Sequence, residues 1–184
     1  MNNLHRSIFY LSGPIDDVKR SRDAIDWRED ISGFLHTIGA GVFNPLDKPI
    51  AYPDSDESYE NVQIRKTMKL QEKYDEVRRT MKSVCSTDMR LVDLSHAMIL
   101  YIDRDVHMCG SYIEAAWAAL EKKPIVVMCK QGKSAIPDFL YGITPHDMFF
   151  SRWDQLKQYL LLVDSSKSID KRWQFIDMSK VYNG

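Results

Sequence analysis

Short apolar runs alternate with longer segments of helical periodicity along this chain, and the alternation predicts most of its elements. Apolar runs of strand length occur at 7–11, 41–43, 97–102, 125–128 and 148–150. Between them, apolar residues recur at helical intervals at 17–38, 59–84, 111–120 and 153–163. Strands that alternate with helices in this way predict a doubly wound, flavodoxin-like or Rossmann-like α/β sandwich of three layers, with about five parallel strands.

The strand–helix–strand unit at 97–128 carries the most informative pattern. Both of its strands are apolar on both faces, which is typical of a parallel sheet covered by helices. In such sheets ligands bind outside the carboxyl ends of the strands, so the loop 103–111 is predicted to carry the chemistry. Glu114 is predicted to stand in the first turn of the intervening helix, above the end of a strand.

The remaining segments are less regular. Residues 46–58 contain prolines and no periodicity, and they are predicted to form a loop over the strand ends or a plain surface connection. Residues 59–84 are predicted to be an amphipathic helical insertion whose apolar stripe packs on the sheet or on a second subunit. A short helical turn is expected at 87–94, and a loop at 130–144. The last twenty residues are apolar enough to dock as a tail, so residues 1–184 are predicted to form a single domain.

Composition narrows the class of partner. The 184 residues are 44% hydrophobic and 28% charged, which suits one globular domain with a substantial core. A net charge of −1 offers no basic field for a polymeric nucleic acid. Three cysteines without C-x-x-C spacing argue against a disulfide framework and against a zinc site. No signal segment or membrane-spanning run is visible, so a cytoplasmic protein is expected.

Glu114 admits two interpretations. Ser111-x-x-Glu114 matches a capping box, in which both side chains bind free backbone N–H groups at a helix start. The alternative is a nucleophile or general base that the positive end of the helix dipole keeps ionised. Tyr10 at the end of the first strand and Asp88 before the third should lie at the same edge of the sheet as Glu114. These neighbouring side chains favour a catalytic role for Glu114.

At this point the chain resembles the nucleoside 2-deoxyribosyltransferase-like family, which includes the deoxynucleoside 5'-monophosphate N-glycosidases. Four motifs carry the resemblance in order along residues 7–163: Tyr10-Leu11-Ser12-Gly13-Pro14-Ile15, Asn44-Pro45, Asp88 ahead of a strand, and Gly110-Ser111-Tyr112-Ile113-Glu114-Ala115-Ala116-Trp117-Ala118 followed by Lys123-Pro124-Ile125. The resemblance implies cleavage of the N-glycosidic bond of a 2'-deoxynucleoside or its 5'-monophosphate. It also implies a homodimer or a larger homo-oligomer.

The same resemblance implies the roles of individual residues. Glu114 would attack C1' of a 2-deoxyribose and form a covalent deoxyribosyl-enzyme, which water or an acceptor base then resolves. Asp88 would help to position Glu114 and the leaving base, and Tyr10 would border the sugar. The substrate-binding residues are then predicted to be Gly13, Pro14, Asn44, Asp103, Met108, Gly110 and Ser111. This route requires neither a metal nor an organic cofactor.

The sequence departs from the family pattern where the base and phosphate would be recognised. Met108 stands where transferases of the family place an aspartate and the monophosphate hydrolases often place a serine. Asp16 stands where the hydrolases often have an arginine, and His96 replaces a further aspartate. Asp103 or Asp105 is therefore predicted to substitute for the base-recognising aspartate. Further phosphate candidates are the helix-start amides of residues 109–111 and the side chains of Arg20, Arg22, Arg104 and Lys133.

Other side chains have plainer interpretations. His96 is predicted to be a hydrogen-bonded core or supporting histidine, whereas His107 could protonate a leaving base because its ordinary pKa of about 6.5 suits that task. Cys109 is interpreted as a small packing residue and Trp117 as core. Two alternatives stay open for the function: an N-ribohydrolase acting on another nucleotide such as NAD, and a non-catalytic nucleotide-sensing module in which Glu114 only caps a helix.

Overall fold

The computed structural model describes residues 2–15, 21–48, 57–166 and 171–173. The strands are β1 (Ile8–Ser12), β2 (Gly41–Phe43), β3 (Ala97–Ile102), β4 (Ile125–Cys129) and β5 (Phe149–Phe150). The α-helices within these ranges are α1 (Ser21–Thr37), α2 (Tyr59–Leu70), α3 (Tyr74–Leu94), α4 (Cys109–Leu120), α5 (Asp138–Ile143) and α6 (Trp153–Ser165). None of the helices in this part of the chain is both long and apolar enough to span a membrane.

All five strands are parallel and follow the order β2-β1-β3-β4-β5. The predicted doubly wound sheet is therefore confirmed. The chain winds outward from β1 to β2 and then crosses back to β3, so the winding direction changes between β1 and β3. A crevice opens at the carboxyl ends of the strands on either side of such a switch point.

Alternating side chains of the strands divide the core into two layers. Phe9 and Leu11 pack with α1 and α6 on one face of the sheet, whereas Tyr10 packs with α3 and α4 on the other. This separation follows from the two-residue period of a strand. Each layer is lined by apolar residues of β3 and β4, which explains why both of these strands read as apolar on both faces.

The predicted helix at 59–84 is two helices. Glu72 adopts a positive φ of 58°, and the N–H groups of Glu72 and Lys73 bond to the carbonyls of Lys69 and Met68. This is a Schellman motif built without glycine, so the sequence lacks the residue that most often marks a helix end. The second helix, α3, then continues to Leu94 and absorbs the short turn predicted at 87–94.

The structure bears on two further predictions, the loop at 130–144 and the docked tail at the end of the chain. The loop predicted at 130–144 contains α5, a helix of six residues. Trp173 is 1% exposed, and its Nε1 donates to Tyr159 Oη at 3.1 Å. The rest of the predicted tail, including Phe175, Ile176 and Tyr182, lies outside the described residues. The single-domain organisation and the docking of the tail stay predictions.

The prediction that Trp117 belongs to the core is wrong. Trp117 is 38% exposed, and its Nε1 donates to Asp93 Oδ1 at 2.7 Å. Ile113 and Leu120 on the same predicted stripe are also exposed, while α4 buries Ser111, Ala115 and Ala118 against the sheet. Small residues on the inner face bring α4 close to the strands, and the larger apolar side chains therefore point outward.

Candidate active site

A cleft lies at the carboxyl ends of β1 and β3, at the switch point of the sheet. Its described lining residues come from the turn after β1, the segments beside β2 and α2, and the start of α4: Gly13, Pro14, Ile15, Pro45, Glu57, His107, Met108, Cys109, Gly110, Ser111 and Glu114. The predicted position of the site thus coincides with a cleft. Of the predicted binding residues, Gly13, Pro14, Met108, Gly110 and Ser111 belong to this lining.

Glu114 is held by two hydroxyl groups of β1. Tyr10 Oη donates to Glu114 Oε1 at 2.9 Å, and Ser12 Oγ donates to Oε2 at 2.5 Å. Residues 10 and 12 share a face of the strand because side chains alternate with a period of two. Tyr10 is fully buried, so it supports the carboxylate from beneath rather than forming part of the cleft wall.

The capping-box interpretation of Glu114 is wrong. Helix α4 begins at Cys109, its N-cap is Met108, and no side chain makes a cap hydrogen bond there. Glu114 consequently stands in the second turn of the helix rather than the first. Because its carboxylate does not cap the helix, it points to β1 and lines the cleft.

Burial and hydrogen bonding act in opposite directions on Glu114. Burial raises its pKa, while the hydrogen bonds from Ser12 and Tyr10 and the charge of Arg28 lower it, and the net direction is upward. A carboxylate with few water contacts and a raised pKa is a better nucleophile than a hydrated one, since less solvent must be removed before attack.

Arg28 of α1 is the buried cation on the other side of the turn after β1. It is 0% exposed, its guanidinium lies 4.3 Å from the ring centroid of Trp27, and it donates to the carbonyl of Gly13 at 3.0 Å. A second donation reaches the carbonyl of Pro14 at 3.4 Å. Burial lowers the pKa of Arg28 to about 10, so the group keeps its charge at neutral pH. It therefore fixes the turn and adds positive charge near Glu114.

Gly13 has no room for a side chain. A Cβ at this position would lie 2.7 Å from Trp27 Cζ2 and 3.2 Å from the Tyr101 carbonyl oxygen. Gly13→Ala is therefore expected to lower the free energy of unfolding by about 1–3 kcal/mol, the usual cost of overpacking. Gly33→Ala in α1 is the matched control, because nothing lies within 4 Å of its Cβ position and alanine favours helix. Urea denaturation of both variants tests the prediction, and equal stabilities would contradict it.

Asp88 lies behind the cleft wall in a buried ion cluster. Lys48 Nζ lies 2.8 Å from Asp88 Oδ1 and 2.7 Å from Glu57 Oε2. Burial first and the charge of Glu57 second raise the pKa of Asp88 to about 8, although Lys48 opposes the shift. Among the described residues, Glu57 lines the cleft and Asp88 does not. Asp88 thus reaches the site through Lys48 and Glu57.

Two predicted binding residues are engaged elsewhere. Asn44 Oδ1 accepts from the Leu46 N–H at 3.1 Å, and its neighbour Pro45 lines the cleft instead. Asp103 accepts from Lys130 Nζ and from Gln131 Nε2, both at 2.7 Å, and these contacts lower its pKa despite burial. Neither residue belongs to the described lining, so their predicted direct roles are not supported by their positions.

The other candidate residues also divide into those that line the cleft and those that do not. His107 and Cys109 line the cleft. His96 is half-buried, and its Nδ1 accepts from the Ile8 N–H at 3.0 Å, as a supporting histidine should. Arg104 and Lys133 are exposed and are not part of the described lining. Asp16, Arg20 and the side chain of Arg22 lie outside what the structure describes.

Sequence reasoning missed three residues of the site: Ser12, Arg28 and Glu57. For Ser12 a signal was present, because period two places it on the same strand face as Tyr10. For Arg28 a weaker one existed, since a charged residue stands four positions after Ala24 and three before Ile31, on the apolar stripe of its helix. Glu57 lies within the irregular segment 46–58, and no pattern pointed to it.

Comparison with protein-family models finds none that matches the chain, and comparison with curated protein sequences also finds no match. Solved structures do resemble it. A 2-deoxyribosyltransferase from the psychrotolerant bacterium Bacillus psychrosaccharolyticus matches with a TM-score of 0.55 and 14% identity, over 83% of this chain and 92% of that chain. The CMP N-glycosidase BcmB of Clostridium botulinum matches with a TM-score of 0.50 and 15% identity, over 85% of this chain and 98% of that chain. The fold implied by the family resemblance is thereby confirmed.

Proposed function

We propose that this protein cleaves the N-glycosidic bond of a 2'-deoxynucleoside or a 2'-deoxynucleoside 5'-monophosphate, with Glu114 as the nucleophile. The observation that carries the proposal is the Glu114 carboxylate, which lines a cleft at the switch point while Tyr10 and Ser12 hold both of its oxygens. The shared fold with a 2-deoxyribosyltransferase and a CMP N-glycosidase supports the same reaction class.

The chemistry follows from that geometry. One oxygen of Glu114 attacks C1' while the bond from C1' to the base nitrogen breaks, and the electron pair leaves with the base. A second group donates a proton to the base, as in retaining glycoside cleavage. A 2-deoxy sugar lacks the electron-withdrawing hydroxyl that would disfavour the cationic transition state. Water or an acceptor base then attacks C1' and releases Glu114.

The rim of the cleft suits a small anionic or polar substrate. Cys109, Gly110 and Ser111 form the first turn of α4 and line the cleft, and the first N–H groups of a helix have no partner within that helix. A 5'-phosphate bound there would gain backbone hydrogen bonds and the favourable end of the helix dipole. A homo-oligomer with a small-molecule substrate stays our prediction.

Incubation with deoxynucleosides and deoxynucleoside 5'-monophosphates, each with and without an acceptor base, tests the function. Release of free base without an acceptor identifies a hydrolase, and base exchange identifies a transferase. Protection against thermal unfolding without turnover would instead identify a nucleotide-sensing module. Turnover confined to a ribonucleotide such as NAD would identify the alternative N-ribohydrolase.

Ser12→Ala is expected to move the acidic limb of the kcat/KM profile to higher pH. Activity falls as pH drops through the pKa of Glu114, because a protonated carboxyl group does not attack. Removing a hydrogen bond that lowers this pKa lets burial raise it further. Ser86→Ala is the control, since Ser86 is exposed and bonds to the Ser83 carbonyl. A limb that stays in place would contradict the prediction.

A further inference from the structure

Within the part of the chain that the structure describes, the cluster behind the cleft pairs two carboxylates with one ammonium group. Lys48 lies between the carboxylates of Glu57 and Asp88, within 2.7 and 2.8 Å, and the exposed fractions of the three side chains are 6%, 11% and 8%. Two ionised carboxylates around one ammonium group would leave a net negative charge away from water. Burial disfavours such a charge, so the cluster tends to retain one proton.

Carboxylates near Asp88 also favour a retained proton, because they raise its pKa. Glu114 of α4 and Glu57 beside α2 both raise the pKa of Asp88, which lies in α3. Burial first, and the charge of Asp88 in addition, raise the pKa values of Tyr10 in β1 and Cys85 in α3. Lys48 opposes these effects. The retained proton is therefore present at neutral pH, with the pKa of Asp88 at about 8.

Only one carboxylate of the cluster reaches the cleft among the described residues. Glu57 and Glu114 both belong to the lining, whereas Asp88 does not and instead contacts Lys48. Two carboxyl groups in one cleft form the kind of pair that glycosidases use. The sequence did not point to Glu57, and the resemblance to known enzymes assigns it nothing.

We propose that Glu57, Lys48 and Asp88 form one unit that supplies the proton to the leaving base, with Glu57 as the member that touches the substrate. This inference rests on the proposed function. When the bond from C1' to the base breaks, the electron pair on the base takes the proton of the unit, and the unit gains one negative charge. When water later attacks C1', its proton returns to the unit while the ester bond to Glu114 breaks. Lys48 and Asp88 are positioning residues, since they act through Glu57.

A substrate that leaves without a proton separates acid catalysis from binding. Glu57→Gln is expected to lower kcat/KM for a deoxynucleoside by about 10²–10⁴-fold, the usual contribution of a general acid. The same variant should cleave 4-nitrophenyl 2-deoxyriboside nearly as fast as the wild type, because 4-nitrophenolate leaves unprotonated. Glu60→Gln, an exposed carboxylate in the first turn of α2, is the matched control and should change neither rate. Equal losses on both substrates would overturn the inference alone. A wild-type protein that cleaves neither deoxynucleosides nor their 5'-monophosphates would overturn both the inference and the proposed function.

The alkaline limb of the kcat/KM profile gives a second test, because it should shift to higher pH in one variant and to lower pH in another. Lys48→Met removes the charge that lowers the pKa of Asp88, so the limb should move to higher pH. Asp88→Asn removes one carboxylate and should move the limb to lower pH. Lys48→Arg keeps the positive charge and is expected to leave the limb near its wild-type position, even where Lys48→Met lowers the thermal stability. Limbs that move together, or not at all, would overturn the inference.

Discussion

Glu114→Gln is expected to abolish turnover while the fold remains intact. Glutamine keeps the shape of the side chain but cannot form the ester with C1', and loss of a nucleophile costs more than about a thousandfold in kcat. The fold should survive because the amide can still bond with the hydroxyls of Tyr10 and Ser12. Its neutral charge also removes the desolvation penalty that raises the pKa of the native carboxyl group.

Two measurements test this expectation. Product release is followed with the best substrate, and thermal unfolding is followed by circular dichroism. Glu121→Gln, an exposed residue at the end of the same helix, should retain full activity. Mass spectrometry of the quenched wild-type reaction should find one deoxyribosyl group on the peptide that contains Glu114. An active Glu114→Gln protein would refute its assignment as the nucleophile.

Arg28→Met is expected to cause the largest loss of stability, about 3 kcal/mol or more of the free energy of unfolding. Removing a fully buried guanidinium deprives the carbonyls of Gly13 and Pro14 of donors, and it takes away a charge that faces Glu114. Activity should fall as well, because loss of that charge raises the pKa of Glu114 and moves the acidic limb to higher pH.

Comparison of substitutions at this position separates charge from shape. Arg28→Lys keeps the charge but loses the forked donor, so its loss of stability should be smaller and its acidic limb should stay closer to that of the wild type. Arg79→Met in α3 is the control, since Arg79 is exposed and its loss should cost within about 0.5 kcal/mol. Urea denaturation that finds Arg28→Met as stable as this control would contradict the prediction.

Much of the fold could be predicted because its signals are local. The apolar runs at 97–102 and 125–128 are long enough to mark buried parallel strands, and they match β3 and β4 closely. The helix end at Glu72 was missed because a Schellman motif is normally recognised by its glycine. The outward orientation of Trp117 was missed for a related reason, since an apolar stripe does not reveal that smaller residues allow the closer approach to the sheet.

The sequence by itself determined the parallel α/β architecture and the edge of the sheet that carries the cleft, and it placed Glu114 near that edge. These follow from the spacing of apolar residues, which reports on structure over short stretches of chain. Only the tertiary structure decided the partners of that carboxylate. Ser12 and Tyr10 lie more than a hundred residues away from it, and Arg28, Lys48 and Glu57 come from three further segments. Folding brings these charged groups together from distant parts of the chain. No local pattern in the sequence shows how strongly they then shift one another's pKa values.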